Sequence, residues 1–303
     1  MLQYCELVKR NMKIYLRDRG AVFFSLLSMI IVLGLMLFFL GDMNVESLTD
    51  LLSEMPGRNT ADDERNAGLF VMLWTCGGIV SINAVTVTMA VYSSMINDRT
   101  EGRLGSIYTA PVSGITVSAA YITSAWICSV VICGITLAIS EIYYIIQGGE
   151  AFSAEAHFKL IGMICVNSFT YAAMMYLAAV LIKTQGAWSG IGTVIGTLVG
   201  FLGGIYLPIG TLAEEIGTVL KCVPVIYGAK MFRSVMTEDI CAEMFENVPD
   251  EFRTEYLKAM GVEIEFLNNE INDTACVAIL LVCGMVLLFA GALASKKAAV
   301  RSR

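Results

Sequence analysis

Long runs of apolar residues alternate with short polar connections along this chain, and six of the runs are long enough to cross a membrane. A helix needs about 20 apolar residues to span the hydrocarbon core of a bilayer. The pattern therefore predicts an all-α integral membrane protein with six transmembrane helices. The runs are residues 21–40, 68–95, 115–139, 158–182, 187–207 and 274–294.

Residues 1–20 precede the first run and separate into an apolar and a charged helical face. The apolar face holds Met1, Tyr4, Cys5, Val8, Met12 and Tyr15, and the charged face holds Glu6, Lys9, Arg10, Lys13 and Arg17. This division predicts an amphipathic helix lying in the membrane interface. The segment has neither a short apolar core nor a small-residue cleavage site, so we expect the first span to be retained.

The basic residues indicate the orientation. Twelve of the 20 Lys and Arg residues lie in residues 1–20, 96–113, 183–187 and 295–303, which six spans would place on one side. The positive-inside rule assigns that side, with both termini, to the cytosol. We expect a multi-pass protein of the cell membrane, in particular a bacterial plasma membrane. The net charge of −7 comes mostly from outer loops and argues against a nucleic-acid partner.

The loop of residues 97–113, between the second and third runs, has a pattern of its own. Leu104, Ile107, Tyr108 and Pro111 follow the spacing i, i+3, i+4 and i+7, downstream of Asp98, Arg99, Glu101 and Gly102. This spacing predicts a short amphipathic helix that docks on a partner.

Residues 208–273 form the largest outer region. Two apolar pieces, each too short to span, are separated by Pro224, which suits the first turn of a helix. We expect two short helices that re-enter the outer leaflet, followed by an acidic helical elaboration. Irregular backbone at membrane depth must be buried in protein or line a wet cavity, so Pro208 and Pro224 are candidates for an outer gate.

Small and polar residues inside the runs are candidates for helix interfaces or for the transport pathway. Gly192, Gly196, Gly200 and Gly204 repeat every four residues in the fifth run and would allow close helix approach. Packing within the chain, a dimer face and a pathway lining are all consistent with this repeat. Asn83 and Asn167 either hydrogen-bond between helices or contact substrate.

Motifs for catalysis and metal binding are missing from the sequence. It contains no HExxH, no GxSxG, no paired Cys and His pattern and no phosphate-binding loop. We therefore expect no catalytic residue, metal or cofactor in this chain, which would not be an enzyme by itself. Most of the nine cysteines fall within the runs, while Cys222 and Cys241 lie in the outer region, either bridged or free.

The order of these parts resembles the ABC-2 type permeases, the membrane subunits of ATP-binding cassette exporters. That family has a cytosolic pattern like E-R-x-x-G-T-x-E-x-L-x-x-x-P. Asp98, Arg99, Gly102 and Pro111 stand here at the same spacing, and Leu104 lies within the same segment. Gly105 stands where the family often has glutamate. A second family pattern, N-P-x-x-Y, is matched at Pro224 and Tyr227, with Val223 replacing the asparagine.

The resemblance implies a single membrane domain over residues 1–303 whose 97–113 loop is a coupling helix held by a separate ATP-binding subunit. ATP and magnesium would bind that subunit. A second permease, identical or different, would complete the complex, and Tyr227 would join the outer gate. The implied function is the export of a hydrophobic or amphipathic substrate such as a drug, peptide, lipid or glycan.

Two other functions are consistent with the sequence. A non-transporting scaffold or sensor subunit would have the same spans and the same docking loop. An ion-coupled carrier would also be a helical membrane protein, but the spans lack the deep charged residues that such carriers use. The sequence does not indicate the substrate.

Overall fold

The computed structural model describes residues 2–35, 41–53, 58–105, 112–205, 208–266 and 269–301. Apart from one short hairpin, its regular structure is helical. The helices are α1 (Leu2–Arg17), α2 (Arg19–Leu35), α3 (Gly41–Ser53), α4 (Thr60–Thr100), α5 (Gly114–Ile146), α6 (Ala154–Leu181), α7 (Gln185–Leu202), α8 (Glu214–Lys221), α9 (Pro224–Met236), α10 (Glu238–Met244), α11 (Asp250–Ala259) and α12 (Asp273–Arg301). A 3₁₀ turn covers Ile209–Thr211, and the strands Glu265–Phe266 and Asn269–Glu270 pair antiparallel.

Four helices in the described part of the chain are long and apolar enough to cross a membrane. They are α4, α5, α6 and the Asp273–Lys296 part of α12. This confirms the second, third, fourth and sixth predicted spans. Helices α2 and α7 lie in the first and fifth apolar runs and have 17 and 18 described residues. Over these residues they are not both long and apolar enough to count as membrane spans by the same criterion.

Helices α2, α4, α5, α6 and α7 each begin where a polar side chain accepts a hydrogen bond from a free backbone N–H. Such caps satisfy donors that the first turn leaves unpaired. The capping residues are Asp18 for α2, Asn59 for α4, Ser113 for α5, Ser153 for α6 and Thr184 for α7. The connections between the spans thus end at residues that start the next helix.

Helix α4 is the centre of the bundle. The most apolar part of α4 is 89% buried within the protein, whereas that of α12 is only 22% buried. Helices α3, α5, α6, α7 and α9 all pack on α4, while α12 packs mainly on α6. A helix that is apolar on every face and surrounded by other helices forms a core, which is the position of α4. Most of the apolar surface of α12 is not covered by the described protein and is available to lipid.

Residues 41–67 connect the first two apolar runs, and their acidic composition predicts a solvated connection, but part of this segment is folded. Residues 41–53 form α3, which packs on α4. Leu48 and Leu52 are fully buried and lie four residues apart, so they share one face of the helix. Their burial explains why this segment is folded despite its acidic residues.

Candidate functional site

The carboxyl-terminal end of α4 carries a buried carboxylate in the 97–113 segment. The Asp98 side chain is 1% exposed. Arg10 of α1 donates two hydrogen bonds to it, from Nη1 to Oδ2 at 2.7 Å and from Nη2 to Oδ1 at 2.9 Å. This bidentate geometry is among the strongest interactions between an arginine and a carboxylate. The hydrogen bond with Asp98 raises the pKa of Arg10.

Two further side chains reach the same carboxylate. The hydroxyl of Tyr121, on α5, donates to Asp98 Oδ2 at 2.5 Å. Arg103 lies 3.6 Å from Oδ1 and also pairs with the more exposed Glu101. A buried carboxylate is tolerated only when opposite charges and hydrogen bonds replace its water, and these groups supply them.

Arg99 connects the same loop to α6. Its Nη1 donates to the carbonyl oxygens of Ala179 at 2.9 Å and of Ile182 at 2.7 Å. The last carbonyls of a helix have no partner within it and favour a cation nearby. Together, Asp98 and Arg99 join α1, α4, α5 and α6 at the start of the loop.

A second group of polar residues surrounds α9. Nearly every side chain of this helix is buried, and it packs on α4, α6 and α12. A methyl group on Gly228 would lie 2.6 Å from both Ser81 Oγ and Asn167 Oδ1. Only glycine permits this approach, and these two oxygens have no hydrogen-bond partner within the described structure. They face the weak Cα–H donor of Gly228 instead.

Arg233 of α9 is fully buried. Its guanidinium lies over the ring of Trp74, 4.1 Å from the centroid. Nε donates to the carbonyl oxygen of Trp74 at 3.2 Å and Nη2 to that of Gly204 at 2.9 Å. Nη1 has no hydrogen-bond partner in the described structure, where no carboxylate lies within ion-pair distance of Arg233.

This arrangement leaves much of the charge uncompensated. A cation over a desolvated aromatic ring gains about 2 kcal/mol, whereas burial of an ion costs several kcal/mol. The second cation of α9 is compensated, since Lys230 Nζ lies 2.5 Å from Asp273 Oδ1 at the start of α12. Of these two buried cations, Arg233 is the one without a counter-charge in the described part of the chain.

Comparison with models of protein families finds a match to most of the chain. The model for the ABC-2 type transporter matches residues 2–237. The chain belongs to this family. The match covers the Asp98 cluster and all of α9, and it ends directly after Met236. A search of curated proteins finds no match.

Family membership makes the chain a multi-pass membrane permease domain. Permeases of this family work with ATP-binding subunits and are not ATPases themselves. Within the described residues, no group of three or more His, Cys, Asp or Glu side chains could hold a metal ion.

The predicted docking residues of the permease differ in their surroundings. Glu101 is about half exposed, and Gly102 adopts a positive φ of 73° in the turn after α4. Leu104 is half-buried against the core of the bundle. Asp98 and Arg99 form hydrogen bonds with side chains and carbonyl groups of their own chain. These hydrogen bonds hold the start of the loop in place. Ile107, Tyr108 and Pro111 lie outside the described residues.

The predicted interface and pathway residues are distributed over several contacts. Asn83 Nδ2 donates to Thr136 Oγ1 at 2.9 Å, and Asn167 Nδ2 donates to the Ser81 carbonyl at 3.0 Å. Both amides therefore link helices. Among the four glycines, Gly192 faces Met89, Gly196 has open space beside it, Gly200 is buried, and Gly204 has a φ of 61° beside Arg233.

The three candidates for an outer gate lie around α8 and α9. Pro208 is buried before the 3₁₀ turn, and Pro224 occupies the first turn of α9, as predicted. The Tyr227 hydroxyl donates to the Lys221 carbonyl at 2.6 Å, which ties α9 to the end of α8. In the same region both Cys222 and Cys241 are free thiols, and burial raises the pKa of Cys241 to about 11.

Sequence reasoning missed Arg10, Tyr121 and Arg233. Arg10 is one of several basic residues on the charged face of α1, and nothing in that pattern separates it from Lys9 or Lys13. Arg233 does carry a signal, because an ionisable residue in an apolar segment at membrane depth indicates a functional site.

Proposed function

We propose that this permease forms the translocation pathway of an ABC exporter for a hydrophobic or amphipathic substrate. Two permease chains, identical or different, would assemble with two ATP-binding subunits. Six spans per chain, with α2 and α7 as the first and fifth, would place both termini and the 97–113 loop in the cytosol. Helices α8 and α9 would re-enter the outer leaflet.

The Asp98 cluster is the observation that carries this proposal. A loop that receives force from an ATP-binding subunit must pass it to the bundle as a rigid unit. Asp98 and Arg99 join the root of the loop to α1, α4, α5 and α6 by charge-assisted hydrogen bonds. Movement of the loop would therefore move four helices together. A solvated linker between two spans would need no such connection.

Helix α7 supports pairing with a second permease. Gly186, Gly190 and Gly196 are exposed and have open space beside them, on a helix that packs mainly on α4. Small residues permit close contact between helices in a membrane, where packing and hydrogen bonds replace the hydrophobic effect.

The test of docking uses the permease co-purified with its ATP-binding subunit. Replacing Leu104, Ile107 and Tyr108 by Ser should weaken subunit association and lower ATP turnover. Ile14→Ser is the control, because Ile14 is an exposed apolar residue of α1 outside the loop. Unchanged association and turnover in the triple variant would refute the docking role.

Transport itself requires a second measurement. The reconstituted complex should move an amphipathic fluorescent substrate across the bilayer only when ATP is hydrolysed. A scaffold or sensor subunit would assemble and sustain ATP turnover without moving substrate, and an ion-coupled carrier would transport without any ATP-binding subunit.

A further inference from the structure

The surroundings of Arg233 suggest a ligand for its free N–H groups. A methyl group on Gly204 or Gly261 would lie 3.6 or 3.7 Å from Arg233 Nη1, so backbone without side chains borders this nitrogen. Both glycines have positive φ, 61° and 67°, which side-chain-bearing residues rarely adopt. The space beside the charge is therefore kept clear of side chains from these two positions.

Among the described residues, Ile209 of the 3₁₀ turn lies next to both glycines that border this charge. Ile209 packs against both glycines, at 3.0 Å from the methyl position on Gly204 and 2.7 Å from that on Gly261. Its turn packs on α11 of the outer region. Displacement of Ile209 would open space beside both glycines, next to Nη1, while Nε and Nη2 could keep their carbonyl partners.

The depth of Arg233 matches that of a lipid head group. Arg233 lies at the level of Trp74, and the 24 residues from Trp74 to Asp98 cover about 36 Å along α4 at about 1.5 Å per residue. The hydrocarbon core is about 30 Å thick. With Asp98 at the cytosolic boundary, Arg233 therefore lies near the outer boundary, where a transported amphiphile would leave.

We propose that Arg233 binds the oxyanion head group, a phosphate or carboxylate, of an amphiphile at the outer end of the pathway. This inference rests on the proposed export function, because that function makes the bound amphiphile the transported substrate. The planar guanidinium of an arginine presents paired N–H donors that match the geometry of an oxyanion. A buried cation without a counter-charge is strongly stabilised when such an anion binds. The bound oxyanion would supply the charge that no described carboxylate supplies.

Trp74 provides a direct measurement, because it contacts the guanidinium. The protein has three tryptophans, so the Trp126→Phe, Trp188→Phe variant leaves Trp74 as the only reporter. This permease, purified in a neutral maltoside detergent without its ATP-binding subunit, is titrated with decyl phosphate. We expect a saturable change in Trp74 fluorescence. Decyltrimethylammonium and additional decyl maltoside should produce no such change.

Arg233→Gln in this background should weaken the apparent affinity for decyl phosphate by about tenfold or more, the loss typical of a charge-assisted hydrogen bond. Arg233→Lys keeps the positive charge but not the planar guanidinium, so it should lose less affinity for decyl phosphate than Arg233→Gln. Arg253→Gln is the matched control, since it removes an exposed arginine of α11 in the same outer region. Its affinity should equal that of the parent.

Inorganic phosphate distinguishes the sources of the oxyanion. Saturation by decyl phosphate alone supports an amphiphile site, and equal saturation by inorganic phosphate supports an oxyanion site open to soluble ions. The proposal is overturned if decyl phosphate gives no saturable change, if Arg233→Gln responds like the parent, or if Arg253→Gln weakens binding as much as Arg233→Gln does. Because neither ATP nor transport is involved, failure here is separate from failure of the export function.

Discussion

Replacing either partner of the pair between Arg10 and Asp98 should destabilise the permease unequally. Arg10→Met leaves a carboxylate that is 1% exposed without its main counter-charge, whereas Asp98→Asn leaves a guanidinium whose side chain is 33% exposed and can turn toward water. Arg10→Met should therefore cost more. The asymmetry follows from burial alone and would be absent from a surface ion pair.

The magnitudes follow from the local geometry. Breaking a buried ion pair from one side costs about 3–5 kcal/mol. Partial exposure of Arg10, and Arg103 at 3.6 Å as a second cation, reduce the expected cost of Arg10→Met to about 2–3 kcal/mol. Asp98→Asn keeps an acceptor for the Tyr121 hydroxyl and should cost about 1 kcal/mol.

The assay is unfolding of the purified permease by SDS in mixed micelles, followed by circular dichroism. Lys9→Met serves as the control, because Lys9 is an exposed basic residue of the same helix. The double variant Arg10→Met, Asp98→Asn should lose less than the sum of the single losses. The reasoning is refuted if Asp98→Asn costs as much as Arg10→Met, or if the two losses add to within about 0.5 kcal/mol.

Three further outcomes are expected. Gly228→Ala should destabilise the permease by about 1–3 kcal/mol, because the new methyl would lie 2.6 Å from two buried oxygens, while Gly196→Ala, which has open space, should change little in the same unfolding assay. Val223→Thr should stabilise by about 0.5–1 kcal/mol by capping α9, which starts without a side-chain cap; an unchanged SDS midpoint would contradict this. In native permease, maleimide should label exposed Cys222 but not buried Cys241, and equal labelling of both thiols would show that α10 packs differently.

The positions of several helices could be predicted because their causes are local. Pro224 starts α9 because proline lacks an N–H that the first helical turn would leave unpaired anyway. The caps at Ser113, Ser153 and Thr184 likewise depend on side chains adjacent to the helices they start. The folding of residues 41–53 as α3 was missed, because Leu48 and Leu52 become informative only when α4 lies beside them.

The candidate site was predictable only in part. The sequence pattern predicts that Asp98 and Arg99 belong to a cytosolic docking loop, and the structure places both in the last turn of α4. Their role in docking stays a prediction. Their contacts could not be predicted, because the partners of Asp98 lie 88 residues upstream and 23 residues downstream. Whether Ile107 and Tyr108 bind an ATP-binding subunit stays a prediction.

The sequence by itself determined that this is a helical membrane protein, because apolar length is a local property of the chain. Its resemblance to the ABC-2 permeases indicated the family, which the match over residues 2–237 confirms. Only the tertiary structure decided which charged residues are buried. Arg10 and Lys9 are neighbours in one basic segment, yet one pairs with Asp98 and the other is exposed. The cost of burying a charge depends on the partners that packing provides, and Arg233 is a buried cation for which the described packing provides no counter-charge.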